Sequence, residues 1–405
     1  MQTKTKIQGF EKAKLVFILA LMSSVAPIST DMYLPALENV KTSFSTSSYL
    51  TQLSIASFFI GFAFGQLIYG PLSDIFGRKK PVIAGLVLFI SSSIACILVD
   101  DINLFIILRF LEALGGCAGV VIARAIVNDL FELKEAINVF ALMMVISSLA
   151  PMLSPVFGGI LLEFFSWQSI FVTLFLVGFF LLFMIIFYLK ESVKIDERAI
   201  FSFKDTLHSY KLVLSNKMFM VYTIAAAFAI ATIFAYITGS AFVFINFFSL
   251  SEFSYSIVFA VNALGFAIFA NINSFLLKKF TPQTILKRAF ITMTVFAFVL
   301  CLGAFSKESF LLFEISLFVT LSMLGFIMPN ATSLAMSQFK EHSGTASATL
   351  GAIQFALAGT VSFIVGLLEA NTPLILACVI LLCSFIAMFV YISFSKLLNN
   401  NQHKA

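Results

Sequence analysis

Charge is what this sequence has least of. Asp, Glu, Lys and Arg make up 11 % of its 405 residues, where a soluble domain carries about 25 %. With mean hydropathy at +1.04, a water-soluble fold of this length is excluded. Histidine is nearly missing too. His208, His342 and His403 all fall outside the apolar runs, so no imidazole is placed to hold a metal or act as a base within a membrane. The five cysteines (Cys96, Cys117, Cys301, Cys378 and Cys383) lie inside apolar runs and form no C-x-x-C pair. They read as small core residues, with neither a disulfide framework nor a metal site. No G-x-x-x-x-G-K-(S/T) loop occurs, which argues against ATP as the energy source. Nucleic-acid binding would need a basic patch with stacking aromatics on a soluble surface, and the sequence has none.

What fills the chain instead is apolar segments near twenty residues long, each able to cross a hydrocarbon core of about 30 Å. They do not alternate, so of the two backbones that lipid tolerates, helix and closed barrel, helix is expected. Twelve spans are predicted, at 15–36, 48–70, 81–99, 103–126, 137–162, 168–190, 218–245, 254–277, 285–305, 309–333, 344–368 and 373–395. The longest polar interruption divides them six and six. The predicted organisation is a bundle at 1–190, a linker at 191–217 and a second bundle at 218–405. Lysines before the first run resemble a signal peptide, but the run is too long and lacks a small-x-small cleavage site, so a retained span is expected. With the N-terminus inside, 21 of the 25 Lys and Arg residues lie on cytoplasmic segments. Only Lys41 and Lys307 lie outside, and Arg109 and Arg124 fall within or at the edge of a span. The positive-inside rule then places both termini in the cytoplasm.

Against this background a carboxylate inside a span stands out. Asp31 in Thr30-Asp-Met-Tyr-Leu-Pro35 arrives before the first apolar run has finished. A charge there costs about 2.5–3.5 kcal/mol on insertion scales and marks a functional site when it faces protein or water. The bland alternative is a head-group position, because Pro35 soon ends the helix. Counting 1.5 Å per residue from the outer end, Asp31 is about 7 Å deep and Arg109 about 9 Å. The two are level, and pairing between them is expected because an unpaired buried charge costs several kcal/mol. Glu112, three residues after Arg109, shares its helix face. It reads either as a second protonatable group or as the residue that neutralises Arg109 within its own helix, with the second favoured. Gly115 and Gly119 form a small-xxx-small packing face. In span five, Pro151 and Pro155 each remove a helix hydrogen bond, and Gly158 and Gly159 follow one turn later, predicting a kinked, closely packed helix. The second half carries mostly uncharged polar residues: Asn262, Asn271, Asn273, Asn330 and Gln354. Such amides more often join helices than bind ligands. Tyr33, Tyr236, Phe242, Asn262, Gln354 and Phe355 are candidate substrate-cavity residues. Glu314, inside span ten, has no assigned partner.

The loop Gly70-Pro-Leu-Ser-Asp74-Ile-Phe-Gly77-Arg78-Lys-Lys80 resembles the G-x-L-(A/S)-D-x-x-G-R-K signature of the major facilitator superfamily. Gly70 and Gly77 would permit a tight turn and close helix approach. The resemblance implies a conformational latch in which Asp74 and Arg78 meet acidic residues at the inner end of span four, here Asp129 or Glu132. It also places spans one and four side by side. Ala150-Pro151-x-x-x-Pro155-x-x-Gly158-Gly159 resembles a motif of exporting, proton-antiporting members. Asp31-Met-Tyr-Leu-Pro-Ala-Leu37, Ala123-Arg-Ala-Ile-Val127, Tyr236–Phe244 and Gly344-Thr-Ala-Ser347 together look like the Bcr/CflA bicyclomycin and chloramphenicol exporters. Departures are Glu112 and Ala113 within the span-four pattern, Ala241, Asn128 and Gln168.

This resemblance implies an all-α protein of two six-helix bundles about a pseudo-two-fold axis, each bundle built of three-helix inverted repeats. The expected activity is proton-driven export of small drug-like compounds by a monomer in a bacterial inner membrane. Asp31 would carry the proton and Arg109 would tune it, with no cofactor beyond the gradient. The partners are then a small-molecule substrate, protons and lipid. The same fold exporting a metabolite is the first alternative. A polytopic membrane enzyme is the second, and it would want intramembrane His, paired Asp or Ser nucleophiles that the spans lack.

Overall fold

The computed structural model describes residues 9–131, 139, 143, 153–192, 210–305, 309–339, 343–368 and 372–402. Among these residues the chain is helical throughout, with no strand. Eleven helices among the described residues are long and apolar enough to cross a membrane. The predicted fifth span contributes Leu153–Phe164, and the rest of it, Pro151 included, lies outside the described residues apart from Val139 and Met143.

Four of the described helices begin where a polar side chain satisfies backbone N–H groups that lipid would leave bare. Asp101 accepts from the amides of Asn103 and Leu104, starting the span-four helix Ile102–Leu130. Asn216 does the same for Lys217–Ala241, Ser251 for Glu252–Leu276, and Thr281 for Pro282–Gly303. Each is a side-chain cap at the membrane edge.

Span one departs from expectation. Its helix, Gly9–Asp31, stops five residues before the predicted end, passes through a turn and the 3₁₀ segment Leu34–Ala36, and resumes as Leu37–Ser43. Pro35 explains the break, since it has no N–H to donate to the Asp31 carbonyl and its ring crowds that carbonyl. Asp31 is therefore a helix C-terminal residue. Two other irregularities mark the second half: span seven ends in the π-turn Phe242–Phe247, and span ten is divided at Met323 into Phe310–Ser322 and Leu324–Met336.

The chain divides into two compact units, Met1–Ala36 with Ser57–Ser202, and Leu37–Ala56 with Phe203–Ala405. In the first unit, Tyr33, Phe105, Trp167 and Phe171 form an aromatic cluster with ring centroids 5.6–6.0 Å apart. Gly119 lies against the backbone carbonyl of Met22, so any side chain there would force spans one and four apart. In the second unit, spans eight and ten run side by side along a single seam. Asn262 meets Glu314, Gly265 meets Phe318 and Ser322, Phe269 packs on Phe326, and Asn273 pairs with Asn330.

Candidate functional site

Arg109 and Glu112 are completely buried in the first unit, and Arg109 Nη1 lies 2.5 Å from Glu112 Oε2. Three residues along one helix brings the two side chains onto one face. Ser29 and Ser93 donate hydroxyls to Glu112 Oε1 at 3.1 and 3.0 Å. Arg109 Nη1 donates to the Ser29 hydroxyl at 3.0 Å, and Nη2 reaches the Ser29 carbonyl at 3.4 Å. The guanidinium is enclosed by Phe58, Tyr33 and Phe171, with centroids at 4.5, 4.8 and 5.6 Å. The pair is thus neutral overall, dry, and held by serines and aromatic faces.

The expected Asp31–Arg109 pairing is not what forms. Among the described residues no hydrogen bond or ion pair joins Asp31 to Arg109, although Asp31 is itself only 5 % exposed. Equal depth is necessary but not sufficient. A helix turns about 100° per residue, so Ser29 and Asp31 point about 200° apart. Because Ser29 faces Arg109, Asp31 faces away. Arg109 finds its carboxylate on its own helix instead, and Asp31 is left buried at a helix C-terminus, where a negative charge is least welcome. Span five approaches it there: Gly158 packs on the backbone carbonyl of Met32, too closely for any side chain. Pro155 and Gly159 are buried on the same helix.

The loop between spans two and three gathers a second constellation. Arg78 Nε lies 2.9 Å from Asp129 Oδ2, and Nη1 reaches Asp74 at 2.5 Å and the Ser73 hydroxyl at 2.7 Å. Burial works against the charge of Arg78, but the hydrogen bonds it donates to Asp129 and Asp74 outweigh it and raise the guanidinium above its ordinary pKa. Glu132 lies outside the described residues. Two partners were not foreseen. Glu191 accepts from the backbone amides of Arg78 and Lys79 at 2.8 and 3.0 Å, capping the span-three helix Lys79–Leu98 from a distant part of the chain. Ser192 donates to Asp129 at 2.9 Å. Gly77 has φ +79°, and an added Cβ would lie 2.7 Å from the Glu191 carboxylate, so both conformation and space require glycine there. Gly70 is different from expectation. It lies inside the helix Ser48–Phe76, which continues over Pro71, and an added Cβ would meet nothing within 4 Å. The turn is made at Gly77 alone, because only that residue adopts the left-handed backbone.

The candidate cavity residues are all buried or nearly so. Tyr33 packs on Arg109, Tyr236 accepts from Asn262 at 3.2 Å and stacks on Phe259, and Phe242 lies in the π-turn with Lys41 5.6 Å above its ring. Phe355 packs on Phe234 at 5.6 Å, and Gln354 leaves its Nε2 without a partner among the described residues.

Known proteins agree with this architecture. The chain is 34 % identical over 369 residues to an uncharacterized MFS-type transporter, YdgK, of Bacillus subtilis, covering 90 % of this chain and 91 % of that one. It is 26 % identical to a bicyclomycin resistance protein homolog of Haemophilus influenzae, over 94 % and 96 % of the two chains. To the multidrug resistance protein MdtL of Shigella flexneri it is 28 % identical, over 81 % and 82 %. Among solved structures, the nucleoside transporter NupG matches with a TM-score of 0.75 at 12 % identity, over 95 % of this chain and 99 % of that one. A D-xylose-proton symporter matches with 0.74 at 14 %, over 93 % and 97 %. At such identity these two speak for the fold alone. With residues 19–363 matching the family pattern, this chain is a membrane transporter belonging to the Major Facilitator Superfamily.

Proposed function

We propose that the protein exports small drug-like compounds in exchange for protons, by alternating access across a bacterial inner membrane with both termini in the cytoplasm. The observation that carries this reading is the position of Asp31. It is buried at the end of a span helix, without a cation among the described residues, beside the Gly158 of a proline–glycine motif that resembles the antiporters'. A carboxylate so placed costs several kcal/mol, and a proton removes that cost. Substrate arrival from inside would drive the proton off, and the outer solution would restore it. Arg109 and Glu112 form the supporting framework, because they neutralise each other and have no exposure to water. Drug export follows the relatives whose names record bicyclomycin and multidrug resistance. The gradient is the energy source, no cofactor takes part, and the monomer is the working unit.

Everted membrane vesicles test this directly. Ethidium transport should follow an imposed pH gradient in the wild type, collapse with an uncoupler, and disappear in Asp31→Asn. Concentrative, pH-driven transport by Asp31→Asn would sink the assignment of the proton to Asp31.

A further inference from the structure

The seam between spans eight and ten is closed differently at its two ends. At the inner end Asn330 donates to Asn273 Oδ1 at 2.7 Å and to the Phe326 carbonyl at 2.8 Å, a satisfied staple. At the outer end Asn262 is 2 % exposed, adjoins Glu314, and donates its amide N–H to the Tyr236 hydroxyl at 3.2 Å. Asn262 Oδ1 and Glu314 Oε2, however, are both buried with no donor among the described residues. This is a surplus of acceptors. In the Arg109–Glu112 site, by contrast, the carboxylate is filled by an arginine and two serines.

A ligand that answers the surplus must bring a hydrogen-bond donor into a place where the helices touch. Gly265, one turn further along the seam, already lies against Phe318 and Ser322, so an organic group has no room. A single proton fits. Placed on Glu314 Oε2 it turns that acceptor into a donor, and the new O–H can bond Asn262 Oδ1, filling both empty positions at once. No other bond is made or broken. With the proton gone, the Asn262 amide continues to hold Tyr236.

We propose that Glu314, with Asn262 and Tyr236, is a second proton-binding site, contained in the second unit and separate from Asp31. It rests on the reading of the protein as proton-coupled, and it raises the number of protons the transporter can carry.

Other titratable groups around Glu314 are few. Its own helix has none. The span-eight helix carries Glu252 in its first turn and Tyr255, whose hydroxyl is paired with Ser240 at 2.8 Å. The span-nine helix carries Lys287 and Arg288 near its inner start and Cys301, in contact with Cys378, near its outer end. Leu324–Met336 carries none, and span seven brings Tyr236 and Tyr222. Lys307 and Glu308 lie outside the described residues. Among the described residues no ion pair reaches Glu314.

Infrared difference spectra of the purified protein in lipid nanodiscs, titrated with acid, test the site without any substrate. Glu314→Gln should remove one carboxylic-acid carbonyl band that appears on acidification. Asn262→Leu should move the midpoint of that band by about one pH unit, a tenfold change in proton affinity, which a mere packing role for Asn262 would leave in place. Asp31→Asn should remove a different band and leave the Glu314 band intact. Loss of no titrating band in Glu314→Gln, or an unmoved midpoint in Asn262→Leu, overturns the proposal. Efflux by Asp31→Asn that persists while the Glu314 band titrates normally would overturn the Asp31 assignment alone.

Discussion

Arg109 shows how a single buried charge is stabilised here. It is fully buried, yet its contacts with Glu112, Ser29 and three aromatic rings leave only Nε without a partner among the described residues. Removing one member of such a pair strands the other in a dry site, at a cost of about 3–5 kcal/mol. Arg109→Ala should therefore lower the melting temperature of the purified protein sharply, and Arg109→Ala combined with Glu112→Ala should recover part of the loss. A double variant no more stable than Arg109→Ala would contradict the pairing. Serine is the inconspicuous partner in this arrangement. The sequence offers Ser29 as one more small polar residue on an apolar helix. Only its rotation about the helix axis, set by packing against span four, shows that it and not Asp31 faces the guanidinium.

At the level of elements, the loop between spans two and three is fastened by the segment following span six. Glu191 caps the span-three helix and Ser192 reaches Asp129, so Arg78, Asp129, Glu191 and Ser192 form one connected cluster. Loss of an N-terminal cap costs about 0.5–2 kcal/mol, and Glu191, being exposed, belongs at the low end. Glu191→Ala should produce a small drop in melting temperature and faster amide hydrogen exchange confined to the first turn of Lys79–Leu98. Gly77→Ala should cost more, because a left-handed backbone adds about 1–2 kcal/mol for any residue with a Cβ and the Cβ would crowd the same carboxylate. Equal melting temperatures for Gly77→Ala and the wild type would contradict the geometry. The signature motif was legible in the sequence because its residues are contiguous. Glu191 was not, because 113 residues separate it from Arg78, and nothing local distinguishes it from any other charge at a span end.

For the whole molecule, topology is the property most firmly tied to sequence. If the positive-inside rule holds for this chain, reporter fusions after Ala405 should fluoresce or be protease-protected as cytoplasmic domains, and fusions in the loop following Ser43 should behave as external ones. Efflux of ethidium from cells should vanish with an uncoupler. Efflux that survives the collapse of the gradient would contradict proton exchange. The all-helical, membrane-spanning character was determined by sequence alone, since lipid acts on each segment independently of what it later touches. The ends of helices were legible wherever a capping residue or proline acts locally, and Pro35 could have placed the break after Asp31. Partner choice among buried charges was decided only by tertiary structure. It depends on which face each helix turns to its neighbours, and a rotation of two residues, about 200°, separates an Asp31 bound to Arg109 from an Asp31 left without it. The same holds for Glu314, whose neighbour Asn262 lies 52 positions away in the chain and one helix away in space.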